Sequence, residues 1–455
     1  MNNEILNELF DANTFVQTNS YILSPYADSE STAGDGVITG YGSIDDRAVF
    51  AALQDESVLK GSVGIAHAQK ISTCIDMAAK TGVPFVFFIH SAGARIKEGL
   101  DVLSGYGQIM KSVSNALGVI PIFAVISGQC SGAAAIIASM ADFTFMPKDG
   151  AYFAFSGIDA LQGTSRNDCK NIGCASEAAI AGTVSCIGTD LKDCFQKLRT
   201  LITYLPDRYD CEAPEAESGD DYARKINAEG FSAFEPYDVR DLISQIADNG
   251  SWMELNETYA PNVVTGFARV GDRSVCMIAN QPAVQDGLLD HTACEKIAGI
   301  LAFCDKFAIP VVTLTNTCGF ACSPEEEQNA LSASAALLIT SFTNSEMPKI
   351  NIITGKAYGS AYLAMNGRQT GADLIYAWND SDISVITPEA GALLIYNDEM
   401  KAAVDPIEAR KEFIQKYRRE CTSPVYAASK GLVDDLISPA ETRARIISAP
   451  SFLLN

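Results

Sequence analysis

The sequence predicts an α/β protein made of two similar halves in tandem. Three observations lead there: short apolar runs that each end in a glycine turn, helix-like stretches between them, and recurrence of the whole pattern one half-length later. In the first half Pro84-Phe-Val-Phe-Phe-Ile leads to Gly93, and in the second Pro310-Val-Val-Thr-Leu-Thr leads to Gly319, over the same interval. Each run is short, β-rich and closes on small residues, as a buried parallel strand entering a turn does. Helix-like segments precede them, at 66–80 and 292–307. The pattern then repeats within each half. Pro121-Ile-Phe-Ala-Val-Ile-Ser-Gly128 is followed by Gly132, and Pro348-Lys-Ile-Asn-Ile-Ile-Thr-Gly355 by Gly359. The step from Pro84 to Pro310 and the step from Pro121 to Pro348 differ by a single position. A near-constant offset over several landmarks points to duplication.

Composition sets the bounds. The chain has 455 residues, 47% apolar and 20% charged, enough for two or three domains with a large core. A formal charge of −23 excludes a nucleic-acid footprint and leaves room only for a local basic pocket. The thirteen cysteines are scattered, form no CxxC pair and lie apart from His67, His90 and His291. They predict reduced core thiols, with no metal site and no disulfide framework. The N-terminus lacks a signal-peptide pattern, and the most apolar stretch, 119–146, is interrupted by Gly128 and Gly132. A cytoplasmic protein is expected. The segment 207–232, rich in Asp, Glu, Pro and Gly, reads as a solvated linker. It sets the boundary near residue 230 and the domains at 1–230 and 231–455.

The turns carry the chemistry. Ser127-Gly-Gln-Cys-Ser-Gly132-Ala133 and Thr354-Gly-Lys-Ala-Tyr358-Gly359-Ser360-Ala361 each lead from a strand into a small-residue helix. Small residues there leave backbone N–H groups open to a ligand oxygen, and the helix dipole adds partial positive charge. The first strands end in Ser91-Ala-Gly93-Ala94-Arg95 and Thr317-Cys-Gly319-Phe320. If the two turns of a half lie side by side, one amide from each meets at a single oxygen, which makes an oxyanion hole. No GxSxG elbow, Walker A loop or HExxH motif occurs. His67 reads as a satisfied surface or core residue of a helix and His291 as part of a helix start, and His90, just before the Ser91 turn, reads as structural ahead of a ligand contact. A site rich in amides and poor in acids and bases suits enolate chemistry, with the proton removed by another molecule.

At these residues the chain resembles the carboxyltransferase subunits of acetyl- and propionyl-CoA carboxylases and the α-subunits of methylmalonyl- and glutaconyl-CoA decarboxylases. Gly34-Asp-Gly-Val-Ile-Thr-Gly-Tyr-Gly42, Gly93-Ala-Arg-Ile-Lys-Glu-Gly99, Ala279-Asn-Gln-Pro282, Lys356-Ala-Tyr-Gly359 and Pro439-Ala-Glu-Thr-Arg443 carry the likeness. It implies two crotonase-like β–β–α superhelix domains, the first on the acyl-CoA side and the second on the biotin side. It implies a homodimer, often built into a hexamer. Biotin would be carried by a separate carrier protein, since neither Met110-Lys111 nor Met400-Lys401 stands in an attachment motif. Biotin carboxylase, or the membrane subunits of a decarboxylase, would be further partners. Carried over, Gly132-Ala133 offer amides to one enolate oxygen and Ser360-Ala361 to the other. Gly93, Ala94, Arg95, Gly319, Phe320, Tyr358 and Leu363 become the substrate-binding candidates, with Arg95 on a CoA phosphate or, equally, in an ion pair with a nearby carboxylate, and Leu363 beside the acyl pocket.

The chain also departs from the family pattern. His90-Ser-Ala-Gly-Ala-Arg95 stands where Asp-Ser-Gly-Gly-Ala-Arg is usual, and Ala133 and Ser360 replace glycines. These changes keep a second reading open, a non-catalytic paralogue that scaffolds an active subunit. A crotonase-type hydratase or isomerase ranks below both, because no Glu stands beside the Gly132 turn.

Overall fold

The computed structural model describes residues 2–24, 34–157, 171–217, 219–232 and 234–449. The chain divides into two compact units, Met1–Ala213 and Pro214–Asn455.

The first unit contains helices α1 (Asn2–Leu9), α2 (Ile65–Thr81), α3 (Asp101–Ala116), α4 (Ala133–Ser139), α5 (Ala175–Ile180) and α6 (Leu191–Tyr204). Its strands are β1 (Val16–Thr18), β2 (Val37–Ile44), β3 (Arg47–Gln54), β4 (Phe85–Ile89), β5 (Ile122–Ile126), β6 (Gln129–Ser131), β7 (Phe143–Pro147), β8 (Tyr152–Ala154) and β9 (Cys186–Gly188). The main sheet has the order β1-β2-β3-β4-β5-β7-β9, antiparallel as far as β3 and parallel beyond it. Strands β6 and β8 form a separate parallel pair. Every residue of β4 and β5 is buried, which explains their unbroken apolar runs. Helix α2 lays Ala68, Ile71, Cys74, Ile75 and Ala78 into the same core and stops at Gly82, a left-handed cap at φ 70°.

The second unit repeats this plan. Its helices are α7 (Val239–Ile246), α8 (His291–Lys306), α9 (Pro324–Gln328), α10 (Leu331–Asn344), α11 (Ser360–Ala364), α12 (Pro388–Ala402), α13 (Pro406–Tyr417), α14 (Pro424–Ser429) and α15 (Thr442–Ser448). Its strands are β10 (Met253–Leu255), β11 (Val263–Val270), β12 (Arg273–Asn280), β13 (Val311–Thr317), β14 (Lys349–Tyr358), β15 (Leu374–Trp378), β16 (Asp382–Ser384) and β17 (Asp435–Ile437). The order β10-β11-β12-β13-β14-β15-β17, antiparallel and then parallel, matches the first sheet strand for strand. The end of β14 pairs with β16 as β6 pairs with β8.

The match reaches single side chains. Lys70 of α2 is fully buried, and its ammonium donates to the carbonyls of Gly34, at 2.6 Å, and Val37. Lys296 holds the equivalent place in α8 and donates to Tyr259 at 2.8 Å, Ala260 at 3.3 Å and Val263 at 2.6 Å. Three carbonyls answer three ammonium protons. Replacing Lys296 with Met leaves those carbonyls unpaired, with an expected loss of about 2–4 kcal/mol. Burial also pushes Lys296 from the ordinary 10.5 down to about 7. Between those two values the unfolded chain binds the extra proton, so this group makes stability rise with pH. The wild-type advantage over Lys296→Met therefore widens as pH is raised through this window. Urea titrations of both proteins at several pH values check this, and an advantage that narrows would contradict it.

The boundary differs from the one read from composition. The units part between Ala213 and Pro214, not near residue 230. The acidic stretch is fastened to the second unit rather than solvated as a linker. Arg224 donates to the carbonyls of Gln245 and Ala247, both at 2.7 Å, and pairs with Asp220 at 2.9 Å. Arg273 pairs with Glu215 at 3.2 Å, and Ile226 is buried in the second core. Only the start of the stretch belongs to the first unit, where Asp207 accepts from Arg47 Nε at 3.1 Å.

Among the described residues the cysteines are free, and no His, Cys, Asp or Glu cluster could hold a metal. Cys169 lies outside them. Burial holds Cys74, Cys194 and Cys294 up near about 12, as expected of inert core thiols. No helix among the described residues is long and apolar enough to cross a membrane.

Candidate active site

In each unit the two turns lie side by side. The Ser91 N–H donates to the Gln129 carbonyl at 2.7 Å, joining the end of β4 to β6. In the second unit Thr317 pairs with Ala357 across β13 and β14, and the Lys356 N–H donates to Asn316 Oδ1 at 3.0 Å. Behind each pair stands an amide side chain at the end of the hairpin. Gln54 accepts from the His90 N–H at 3.1 Å, and Asn280 accepts from the Asn316 N–H at 3.1 Å. Gln54 and Asn280 are separated by the same offset as Pro84 and Pro310. That equivalence was available in the repeat, but neither residue stood out alone.

The first turn of each unit is shaped by one bridge. Val63 donates to the Gly93 carbonyl at 2.8 Å and accepts from the Arg95 N–H at 2.9 Å. Ala94, the bridge partner, is left with its own N–H facing away from Val63. Leu289 holds Gly319 and Ala321 at 3.0 and 2.9 Å around Phe320 in the same manner. Gly93 and Gly319 donate to the hydroxyls of Ser91 and Thr317 at 3.1 and 3.2 Å.

The second turns need glycine. Gly132 has φ 60° and ψ −128°, and Gly359 has φ 62° and ψ −148°, a region that side chains strongly disfavour. These torsions launch α4 and α11. Gly132 is not itself an open donor, contrary to expectation, because its N–H donates to the Phe155 carbonyl at 2.9 Å. The Gly359 N–H is likewise held by Ser384, at 2.8 Å. Ala133 and Ser360, the first helical residues, carry the first unengaged N–H groups among the described residues. Ala361, the next in α11, is fully buried. A Cβ on Gly93, Gly132 or Gly319 would meet nothing within 4 Å among the described residues, so these leave the space over the turns open. At Gly359 a Cβ would come within 3.3 Å of the Val385 carbonyl, so that approach is narrower.

Of the two readings open for Arg95, the structure shows the ion pair. Arg95 is 8% exposed, ion-paired with Asp35 and Glu98, and its Nε reaches Ser62 Oγ at 3.4 Å. It braces the first turn from below, and its guanidinium is not free to meet a phosphate. Glu98 also receives the Ile65 N–H at 2.7 Å, so the same carboxylate starts α2. Its counterpart Glu326 receives the His291 N–H at 2.9 Å and approaches His291 Nδ1 at 3.0 Å, giving His291 the helix-start role expected. His67 is buried between Gln54 and the Asp35 carbonyl, and burial pushes it down to about 3. It is a neutral core residue. His90 faces Glu56 at 3.3 Å.

Tyr358 is buried, and its hydroxyl donates to Asp382 at 3.1 Å. Burial first, and Asp382 second, raise it far above ordinary phenols. Asp382 also meets Thr422 at 2.9 Å and Arg418 at 3.3 Å. Tyr358 therefore braces the turn instead of lining it. Leu363 is half-buried against the core around Ile375 and Ala377. Residues 158–170, in the loop after Gly157, lie outside the described residues.

A family model described as the carboxyl transferase domain matches residues 3–455, nearly the whole chain. The chain belongs to the carboxyl transferase family. It is 36% identical to the carboxyltransferase subunit of propionyl-CoA carboxylase from Haloferax mediterranei, covering 91% of this chain and 82% of that one. It is 35% identical to the α-subunit of methylmalonyl-CoA decarboxylase from Propionigenium modestum, covering 99% and 89%. The crystal structure of the transcarboxylase 12S hexamer, with methylmalonyl-coenzyme A and methylmalonic acid bound, superposes with a TM-score of 0.94 at 36% identity, over 99% of this chain and 89% of that one. This carboxyltransferase therefore has the tandem crotonase-like fold that the family resemblance implied.

Proposed function

We propose that this carboxyltransferase moves a carboxyl group between biotin on a separate carrier protein and the α-carbon of a short acyl-CoA. The observation that carries the reading is the turn pair present in both units, each with an unengaged amide at a helix start, with open space over Gly132 and a narrower approach at Gly359. The first unit takes the acyl thioester. Ala94 and Ala133 direct their N–H groups at the thioester oxygen and stabilise the charge that develops as the α-carbon becomes an enolate. The second unit, through Phe320 and Ser360, holds the ureido oxygen of biotin. Biotin, when bound, supplies the nitrogen on which the carboxyl group travels. The residues of the chain orient both partners and supply oriented dipoles, and no side-chain base is required of them.

The similarity to a decarboxylase α-subunit supports the reverse direction equally, within an assembly anchored by other subunits. Cytoplasmic placement and assembly as a homodimer or hexamer belong to the same proposal. The test is decarboxylation of malonyl-CoA, methylmalonyl-CoA and glutaconyl-CoA by the purified protein, with and without free biotin. Biotin-dependent release of CO2 from one of them is expected. A folded protein that binds these thioesters and turns over none of them would overturn the reading in favour of a scaffolding paralogue.

A further inference from the structure

The two turn pairs match closely in backbone and differ in charge. Gln129 of the first unit corresponds to Lys356 of the second, at the offset that relates Pro121 to Pro348. Each stands at the head of the short parallel pairing, opposite Tyr152 and Asp382 respectively. Ala92 corresponds to Cys318. Lys356 is half-buried, its own N–H is pinned by Asn316, and its ammonium lies beside the Cys318 thiol of the neighbouring turn.

The arginines and the buried lysines of these regions are engaged, while Lys60 and Lys97 beside the first turn are exposed. Arg95 is held by Asp35 and Glu98, and Arg418 by Asp382 and Glu389. Lys296 and Lys349 are held by carbonyls. Lys356, by contrast, makes no ion pair among the described residues. Among the described residues the lysines in ion pairs are Lys192, Lys197 and Lys411, so what sets Lys356 apart is its half-buried place at a turn of the candidate site. Its neighbour does not neutralise it either. Burial raises the Cys318 thiol, with Lys356 only partly opposing, so the sulfur stays protonated near neutrality.

We infer that Lys356 is an anion-binding residue whose ammonium holds the carboxylate in transit at the second turn pair. This rests on the function proposed above. Backbone amides suit a carbonyl oxygen that gains charge during reaction. A carboxylate carries a full charge throughout, and a compact ammonium in a partly desolvated turn answers it better. That carboxylate can sit on the acyl-CoA or on biotin.

The test compares wild type with Lys356→Gln, the residue found in the first unit, and Lys356→Arg, which keeps the charge. Calorimetric dissociation constants are measured for methylmalonyl-CoA and for propionyl-CoA, which lacks the carboxylate. Turnover of methylmalonyl-CoA with free biotin is measured on the same samples. Loss of about 10- to 100-fold in methylmalonyl-CoA affinity in Lys356→Gln, with propionyl-CoA unchanged, supports the inference and places the carboxylate on the acyl-CoA. Unchanged affinities with turnover reduced by about the same factor support it and place the carboxylate on biotin. In either case Lys356→Arg restores most of the loss. Equal weakening of both thioesters would assign the ammonium to the CoA moiety and overturn the inference, as would unchanged affinity and rate. If wild type itself turns nothing over, the function proposed above fails. The two affinities then decide Lys356 alone: selective loss of methylmalonyl-CoA binding upholds it, and any other result overturns it.

Discussion

Arg443→Leu is expected to lower the stability of the second unit by about 3–5 kcal/mol, the usual cost of leaving a buried charge alone. Arg443 is fully buried, donates to the Ile246 carbonyl at 2.6 Å and pairs with Asp248 at 2.7 Å, where both side chains are shut off from solvent. Asp248 accepts in addition from the N–H groups of Gly271 and Asp272, at 2.9 and 2.8 Å, and so fixes the turn between β11 and β12. Removing the guanidinium strands that carboxylate. Adding Asp248→Asn should recover part of the loss, since the amide is uncharged and its single oxygen still accepts from one of the two turn N–H groups. Both tryptophans, Trp252 and Trp378, lie in the second unit and pack in or against the core that Arg443 closes. Trp378 Nε1 donates at 2.9 Å to Thr442, the chain neighbour of Arg443. Tryptophan emission during urea unfolding thus reports this unit. A midpoint within experimental scatter of wild type would contradict the prediction.

Ala133→Pro and Ser360→Pro should each lower kcat about 10²–10³-fold, the typical effect of one lost oxyanion donor. Proline suits the first position of a helix, where its missing N–H has no intrahelical partner and its fixed φ is already helical. The substitution therefore deletes the donor while α4 and α11 still start in place. Because that hydrogen bond strengthens only as charge develops, acyl-CoA affinity should change far less than the rate. Circular dichroism and dissociation constants on the same samples separate this outcome from a misfolded turn. Full activity in both variants would show that the amides at Ala133 and Ser360 do not face the reacting oxygens.

The tandem architecture was legible because apolar strands and glycine turns are local patterns, and their repeat survives in the sequence. Helices expected over 66–80 and 292–307 occupy Ile65–Thr81 and His291–Lys306. Less legible was whatever depends on partners far along the chain. The acidic stretch looked like a linker because nothing nearby shows that the distant Arg273 and the still more distant Arg443 would pair with its Glu215 and Asp220. The phosphate reading of Arg95 stayed open because Asp35, far upstream, gives no local sign of facing it. Gly132 looked like a donor because a sequence shows that an amide exists and not which carbonyl takes it. Lys70 and Lys296 escaped notice because lysine in a helix pattern reads as surface.

The doubled turn pair has an evolutionary consequence. A protein half this length, pairing with its own copy, would have carried one set of side chains at both sites, so any change that favoured one ligand would have compromised the other. Once two copies were joined in one gene, each became a separate target of selection. The backbone and its buried lysines stayed fixed in both, while Gln129 and Lys356 drifted apart. On the function proposed above, adaptation to a new acyl group can proceed in the first copy without disturbing what the second must recognise.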